Sequence, residues 1–311
     1  MSTVLKGKDI LHVRDIKLEH ISLVMDTAAR YENVLQSGGH LTNMIGKILA
    51  TLFYEPSTQT RLSFETAMLR LGGQVVSVTD ALVSSSAVKG ETLYDVGKLI
   101  EGYADVAVIR HRDEGSAQEL AKGAGVPIIN GGDGAGQHPT QSLMDVYTIQ
   151  KECGRLNNLT VTIAGDLKNG RAAHSLAWLL GKFGPRFHFI SPEELRMPTD
   201  ITAGLRADGI EIVESDDLET AIAKSDVLYM NRVQKERFIK PEDYERLKGA
   251  YHVDAALISK AKPGMTIMHP LPRAGELSRE VDAMEGAAYF RQAYNGVSIR
   301  MALLALVTGN E

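Results

Sequence analysis

A short segment of this chain combines residue types that bind anions. An apolar run over residues 48–54 ends at Glu55 and Pro56, and the polar sequence Ser-Thr-Gln-Thr at 57–60 then opens a helical pattern. This order predicts a strand, a tight turn and the first turn of a helix, whose free N–H groups and positive dipole end favour a bound anion. Taken alone, these hydroxyl residues are explained equally well as an ordinary helix N-cap.

Polar side chains also follow several other predicted strands, at the point where each strand ends. These clusters occupy 110–112 (Arg-His-Arg), 130–138, 165–171, 231–232 (Asn-Arg) and 269–273 (His-Pro-Leu-Pro-Arg). In open parallel sheets, ligands bind outside the carboxyl ends of the strands. The clusters therefore predict an anion-binding cleft and favour an enzyme over a scaffold protein.

Two of these clusters carry more specific signals. His138 follows four glycines and precedes Pro139, and Gln141 lies three residues further on, so both side chains can point the same way from one helical turn. The alternative is that His138 merely caps the helix. A metal site at His138 is disfavoured because no second ligand lies beside it at a suitable spacing. The loop at 165–171 lacks the third glycine of a dinucleotide-binding motif.

The remaining motifs are open to two interpretations each. The charged run 232–237 either binds an anionic ligand or forms a solvated surface. The two prolines within 269–273 predict a rigid turn whose carbonyls can accept hydrogen bonds from an amine. The polar loop 84–92 either delivers Lys89 as a mobile cation or is a plain surface loop.

The elements that must position these residues alternate between short apolar runs and helical patterns, which predicts βαβ units. We expect an α/β fold of two doubly wound domains, with mostly parallel sheets and helices on both faces. The predicted boundaries are a first domain at 1–138, an interdomain helix at 139–153, a second domain at 154–290 and a C-terminal helix at 291–311 that returns to the first domain. Predicted strands lie at 47–54, 106–110, 126–129, 160–164, 187–190, 210–213, 226–230 and 265–268.

Composition narrows the class of protein. The 311 residues are 44% hydrophobic and 23% charged, with a net charge of −5, which argues against a nucleic-acid or membrane-surface partner. Cys153 is the single cysteine, so neither a disulfide framework nor a cysteine-based metal site is expected. No apolar run reaches membrane-spanning length. We expect a cytoplasmic protein.

These motifs occur together in the order and spacing of one family. The chain resembles the catalytic chains of the aspartate carbamoyltransferase family along nearly its whole length. The matching pieces are 57–61, 64–66, 89–92, 131–134, 137–141, 165–168, 232–237 and 269–273. Ornithine-specific relatives carry a cysteine in the last of these turns, where this chain has Pro270.

The resemblance implies transfer of a carbamoyl group from carbamoyl phosphate to the amino group of L-aspartate in pyrimidine biosynthesis, without a metal or an organic cofactor. It also implies a homotrimer with shared active sites, accompanied in some members by regulatory chains or by a dihydroorotase partner. By motif, the carbamoyl phosphate-binding residues are Ser57, Thr58, Gln59, Thr60, Arg110, His138, Gln141 and the carbonyls of Pro270 and Leu271, of which Thr60, Arg110 and His138 polarise the carbonyl oxygen.

The same resemblance assigns the second substrate and the domain contacts. The aspartate-binding residues are Lys89, Arg171, Arg232 and Gln234. Ser85 and Lys89 come from an adjacent subunit, and Glu55 pairs with Arg171 or Arg237 when the domains close.

Position 59 departs from the family pattern, because most members have arginine there and this chain has Gln59. Glutamine keeps a hydrogen-bond donor but loses the charge and fork geometry that contact the phosphate. Removing such a contact costs about 3–4 kcal/mol in the transition state. We therefore expect turnover to fall more than carbamoyl phosphate binding.

Two alternative functions remain, one suggested by Gln59 and the other by the choice of the amino acid that accepts the carbamoyl group. One is an impaired carbamoyl phosphate-binding subunit that supports a partner enzyme of pyrimidine synthesis. The other is a carbamoyltransferase with a different amino acceptor, which the Arg-Val-Gln sequence at 232–234 argues against.

Overall fold

The computed structural model describes residues 4–79 and 90–311. It divides into two compact units, one formed by Met1–Met144 with Tyr294–Glu311 and the other by Asp145–Ala293. Each unit is built on its own parallel β-sheet.

In the described part of the first unit, the sheet has four strands in the order β2-β1-β3-β4. The strands are β1 (Ile48–Phe53), β2 (Gln74–Thr79), β3 (Val106–His111) and β4 (Ile128–Asp133). Each neighbouring pair runs parallel. The carboxyl ends of the strands therefore lie along one edge of the sheet.

The helices of the first unit cover a sheet that is apolar on both faces. Ala50 and Leu52 belong to one core cluster with Leu120, while the alternate residues Leu49 and Phe53 are also buried. Burial on both faces explains why β1 is a continuous apolar run rather than an alternating one. The helices are α1 (Leu18–Gln36), α2 (Thr58–Arg70), α3 (Leu93–Ile100), α4 (Ser116–Gly123), α5 (Pro139–Cys153) and, at the C-terminus, α11 (Tyr289–Thr308). The boundaries between the two units fall inside α5 and α11.

The sheet of the second unit has five parallel strands in the order β7-β6-β5-β8-β9. They are β5 (Thr160–Ala164), β6 (Arg186–Ile190), β7 (Ile212–Ser215), β8 (Val227–Met230) and β9 (Thr266–Met268). The helices are α6 (Arg171–Gly181), α7 (Thr199–Ala207), α8 (Leu218–Ile222), α9 (Pro241–Leu247) and α10 (Ala255–Ile258). Across both units, the described residues also form 3₁₀ turns at Val13–Asp15, Glu193–Leu195, Lys235–Arg237 and Arg279–Ala283.

The predicted α/β class, with two parallel-sheet domains flanked by helices, is confirmed. Two details differ. No strand is predicted at 74–79, because β2 is an edge strand whose residues are mostly exposed and lack the apolar run that marks a buried strand. The strand predicted at 126–129 lies instead at Ile128–Asp133, since backbone pairing continues through Asn130 and two glycines.

No helix in the part of the chain that the structure describes is long and apolar enough to cross a membrane.

Candidate active site

The strand order of the first unit reverses between β1 and β3, with β2 beyond one and β4 beyond the other. Ligands of doubly wound sheets bind at such a point, outside the carboxyl ends of the strands. Residues 57–60 follow β1 directly, and Arg110 lies near the end of β3. The topology thus brings two of the predicted anion-binding segments to the same edge.

The first turn of α2 is stabilised by the side chains of Ser57 and Ser63. Ser57 has an extended backbone and its Oγ accepts a hydrogen bond from Thr60 N at 3.3 Å, so it is the N-cap residue. Ser63 Oγ donates to Gln59 O at 2.6 Å and to Thr60 O at 2.9 Å, which stabilises the turn from below. Thr58 is exposed, Gln59 is half-buried and Thr60 is buried. The free N–H groups of this turn form a site suited to a phosphate.

Arg110 is fixed by contacts on both sides. Its Nη1 donates to Gly131 O at 3.2 Å, and its Nε lies 3.2 Å from Glu55 Oε2. The β1–β3 pairing continues past the strand end, because Tyr54 N donates to Arg110 O at 2.8 Å. A Cβ built on Gly131 would lie 3.5 Å from Thr60 Cγ2, so β4 packs closely against the start of α2. Thr60 and Arg110 therefore both adjoin residue 131.

His138 and Gln141 lie at the start of α5, after β4. Both are buried, with 5% and 4% of their surface exposed. The carbonyl of His138 accepts hydrogen bonds from Gln141 N at 3.0 Å and Ser142 N at 3.2 Å, so its main chain begins the helix. Its Nδ1 lies 3.5 Å from Thr140 Oγ1. His138 can therefore both begin the helix and bind a ligand, because its main chain begins the helix and its imidazole takes no part in that role.

The neighbouring His111 follows Arg110 and is neutral near pH 7, because burial lowers its pKa. Its ring lies 5.0 Å from that of Tyr54, and its Nδ1 accepts from Asp113 N at 3.0 Å. His111 contributes packing and a turn to the end of β3 rather than a positive charge.

The strand order of the second unit reverses between β5 and β8. The two strand ends approach closely: Gly165 has a φ of +105°, and a Cβ there would lie 2.0 Å from Asn231 O. The fully buried carboxylate of Asp166 accepts from Asn169 N at 3.0 Å and from Gln234 N at 3.2 Å. Gln234 Nε2 also donates to Asn169 O at 2.9 Å. The loop before Arg171 and the loop containing Arg232 are therefore joined.

Arg232 is engaged within its own loop. Its guanidinium makes a two-pronged ion pair with Glu236, and one of the two hydrogen bonds is 3.1 Å long. Burial lowers the pKa of Arg232, but the bond to Glu236 outweighs it and the pKa is raised overall. The fork that is predicted to bind aspartate is thus occupied by a carboxylate of this chain.

The turn after β9 is built on a buried pair. His269 Nε2 lies 2.7 Å from Glu276 Oε1, and His269 Nδ1 accepts from Leu271 N at 2.8 Å. Leu271 has a φ of +52° and is followed by a cis bond to Pro272. The N–H of His269 donates to Gln292 Oε1, and Gln292 Nε2 donates to Asp145 Oδ1 at 2.7 Å. This network fixes the backbone that carries the Pro270 and Leu271 carbonyls.

Several supporting residues carry no role in the sequence analysis. Five are buried polar side chains that bind main-chain groups near the predicted site residues, namely Asn130, Asp133, Asp166, Glu276 and Gln292. The sixth, Asp145, accepts from the side chains of Tyr229 and Gln292. A buried acid is rarely tolerated without partners, yet nothing in a single sequence marks these acids as buried. Asp133 and Asp166 do follow predicted strands, and this position in the sequence could have marked them as candidate site residues.

Within the first unit the structure brings Thr60 and Arg110 to the same strand residue, and within the second it joins the loops that carry Arg171 and Gln234. Ser85 and Lys89 lie outside the described residues. Glu55 contacts Arg110 in its own unit, and its pairing with Arg171 or Arg237 stays a prediction. Among the residues that the structure describes, no three His, Cys, Asp or Glu side chains are arranged to hold a metal ion.

Comparisons with known proteins agree with the two-unit architecture. Residues 8–151 match the carbamoyl-phosphate-binding domain model of aspartate/ornithine carbamoyltransferases, and residues 157–307 match the Asp/Orn-binding domain model. The aspartate carbamoyltransferase catalytic subunit of Thermococcus kodakarensis is 50% identical over 304 residues, which cover 98% of each chain.

Solved structures extend this similarity. The Trypanosoma cruzi aspartate transcarbamoylase in complex with carbamoyl phosphate and aspartate superposes with a TM-score of 0.93 at 39% identity, covering 98% of both chains. The catalytic subunit of M. jannaschii aspartate transcarbamoylase gives a TM-score of 0.90 at 46% identity, covering 98% of this chain and 99% of the other. The two domain models and the full-length relatives thus place this chain in the aspartate/ornithine carbamoyltransferase family.

Proposed function

We propose that this chain transfers the carbamoyl group of carbamoyl phosphate to the amino group of L-aspartate, giving N-carbamoyl-L-aspartate and phosphate. The observation that carries the proposal is the full-length match to a structure at 39% identity that holds both substrates. The alternative of a non-catalytic binding subunit is not favoured, because the relatives matched over 98% of this chain are named catalytic subunits.

The first unit supplies the phosphate site and the carbonyl-polarising groups. The hydroxyls of Ser57, Thr58 and Thr60, with Gln59 and the free N–H groups of α2, bind the phosphate. Thr60, Arg110 and His138 act on the carbonyl oxygen, where negative charge develops as the amine attacks. The fixed position of Arg110 between Gly131 O and Glu55 supports this role, because a preorganised donor needs no rearrangement during the reaction.

The remaining groups orient the two reacting ends. Gln141 and the carbonyls of Pro270 and Leu271 bind the carbamoyl NH₂ group. Arg171, Arg232 and Gln234 bind the aspartate carboxylates, with Lys89 from an adjacent subunit. Glu55 pairs with Arg171 or Arg237 on closure.

The proton balance of the reaction needs no dedicated side-chain base. The amine attacks in its neutral form and forms the new C–N bond as the bond between the carbonyl carbon and the phosphate oxygen breaks. The leaving phosphate accepts the proton that the amine loses. Holding two anions together in the right orientation accounts for much of the rate.

We also propose that the working unit is a homotrimer. In the first unit β2 is an edge strand, and Val76 on it is 48% exposed. Leu62 and Leu69 on α2, which packs on β1 and β2, are 50% and 61% exposed. Exposed apolar side chains beside an unpaired strand edge are characteristic of a surface covered by another chain.

The deciding experiment measures formation of N-carbamoyl-aspartate from carbamoyl phosphate and L-aspartate by this chain and by Gln59→Arg. We expect both to form product, with kcat raised by about 10²-fold in the variant and a smaller change in the KM for carbamoyl phosphate. Equal rates would mean that other groups replace the arginine. If neither protein forms product, the transferase assignment is wrong.

A further inference from the structure

The turn that leads to His138 is organised around one buried carboxylate. Asp133 is 3% exposed and accepts three hydrogen bonds. Its Oδ1 accepts from Gln137 N at 2.8 Å and from Asn130 Nδ2 at 3.0 Å, and its Oδ2 accepts from Gly115 N at 2.9 Å. Hydrogen bonds to an ionised acceptor are roughly twice as strong as neutral ones. The carboxylate therefore joins both ends of the 130–137 turn to the start of α4.

The backbone of the same turn closes on Asp133. Asp133 N donates to Gln137 O at 3.1 Å, and Gly136 N donates to Asp133 O at 2.9 Å. Gln137 is thus held by both its main-chain groups, and the next residue is His138. Since two consecutive Cα atoms are 3.8 Å apart, fixing residue 137 leaves residue 138 little freedom.

Asn130 completes the arrangement from the other side. It is fully buried, its Nδ2 donates to Leu11 O at 3.0 Å as well as to Asp133, and its Oδ1 accepts from Gly132 N at 2.8 Å. Hydrogen bonds therefore hold main-chain groups near both ends of the turn, and breaking a buried one costs about 1–3 kcal/mol.

We propose that Asp133 is a positioning residue for carbamoyl transfer, which sets the location of the His138 imidazole through residue 137. This inference rests on the proposed action of His138 on the carbonyl oxygen. Asp133 does not touch substrate in this role. Its loss displaces His138, and a displacement of about 1 Å at a polarising group can cost about 10²-fold in rate.

The test is a double-variant cycle with Asp133→Asn and His138→Ala. In Asp133→Asn an NH₂ group replaces one acceptor oxygen and faces an N–H donor. We expect kcat to fall by about 10²-fold in either single variant, and the double variant to be no slower than His138→Ala alone, because a displaced and an absent imidazole are equivalent. Affinity for N-(phosphonacetyl)-L-aspartic acid reports binding separately from turnover.

Asp26→Asn makes the same chemical change at an exposed position on α1 and should leave kcat unchanged. Thermal unfolding of all the variants shows whether each is folded at the assay temperature. If Asp133→Asn does not fold, Asn130→Ser enters the cycle in its place, with the same expectation.

Two results would overturn the inference while carbamoyl transfer itself stands. The first is a double variant whose losses multiply, since Asp133 then acts independently of His138. The second is a kcat for Asp133→Asn equal to that of Asp26→Asn. Absence of product from the unmodified chain would instead overturn the proposed function.

Discussion

Arg232 presents the clearest competition between a substrate and the protein itself. Its guanidinium is paired with Glu236 in the same loop, and the two side chains are 25% and 49% exposed. A half-exposed ion pair contributes little, about 0–1 kcal/mol. Aspartate can therefore displace Glu236 at a small cost in free energy, and that cost weakens the binding of aspartate by the same amount.

Glu236→Gln removes this competitor and keeps the side-chain length. We expect the KM for aspartate to fall by up to about fivefold with little change in the KM for carbamoyl phosphate, because only the aspartate fork is released. Steady-state kinetics with each substrate varied in turn measure both constants. The matched control is Glu245→Gln, which breaks a pair with Lys248 on the surface. A KM for aspartate that rises would mean that Glu236 orients Arg232 instead of occupying it.

Ser57 serves two purposes, as cap of α2 and as proposed phosphate ligand, and these can be separated. Asp and Asn cap helices as well as Ser does. We expect both Ser57→Asp and Ser57→Asn to keep the free energy of unfolding within about 0.5 kcal/mol. Only the Asp variant places a negative charge beside the phosphate, so its affinity for carbamoyl phosphate should fall at least about tenfold below that of the Asn variant.

For the two Ser57 variants, chemical denaturation measures the free energy of unfolding, and calorimetric titration measures the affinity for carbamoyl phosphate. Equal affinities in the two variants would place the phosphate away from the start of α2.

At the scale of elements, the irregular turn after β9 depends on a buried hydrogen bond between His269 and Glu276 rather than on its own sequence. His269 is fully enclosed and its partner Glu276 is 6% exposed. Burial raises the pKa of Glu276, but the contact with His269 outweighs it and the pKa lies below its usual value. Glu276 also accepts from Ala274 N at 3.0 Å. The charged carboxylate thus organises both ends of the 269–276 segment.

Glu276→Gln should lower the free energy of unfolding by about 1–3 kcal/mol near neutral pH, since a buried donor loses its charged acceptor. Because the pKa is depressed in the folded state, the contribution of Glu276 is present above the unfolded pKa and is lost as the pH falls through the folded value. The stability difference from the unmodified chain should therefore shrink below about pH 4.5. Urea denaturation at a series of pH values, from about one unit below to about two units above that value, measures the difference. A difference independent of pH would contradict an ionised Glu276 carboxylate.

The elements also explain why polar side chains collect at two sheet edges. In each unit the strand order reverses once, between β1 and β3 and between β5 and β8. In doubly wound sheets, ligands bind at such a reversal, outside the carboxyl ends of the strands. The segments 57–60 and 165–171 each follow the first strand of such a pair, so their role is set by topology as much as by residue type.

At the scale of the whole molecule, the proposed shared site makes a prediction that a monomeric enzyme does not. Lys89→Ala and His138→Ala should each be nearly inactive as pure trimers. After reversible dissociation and mixing, about one quarter of the sites combine a native His138 with a native Lys89 from a neighbour. We expect activity to recover to about that fraction.

Native mass spectrometry of the mixture confirms that mixed trimers have formed, and pure trimers carried through the same procedure are the control. Mixed trimers without recovered activity would mean that Lys89 acts within its own chain or not at all.

Residue order alone determined the α/β class, the two parallel-sheet domains and the family. Buried parallel strands such as Val227–Met230 are continuous apolar runs, and the motifs that follow the strands stand at fixed spacings. Local patterns of this kind are set by the chain itself, so they can be read without coordinates.

Tertiary structure decided what surrounds those motifs. The exposed strand β2 has no apolar run, and its pairing with β1 is a contact between distant parts of the chain. The roles of Asp133, Asp166 and Glu276 likewise depend on burial and on partners that the fold supplies. Arg232 is a further example of a contact that the sequence did not predict. Its charge and its place in the chain were predicted, but its pairing with Glu236 depends on the conformation of the loop. Long-range packing decides which polar groups lose water, and a buried group must then find its partner within the protein.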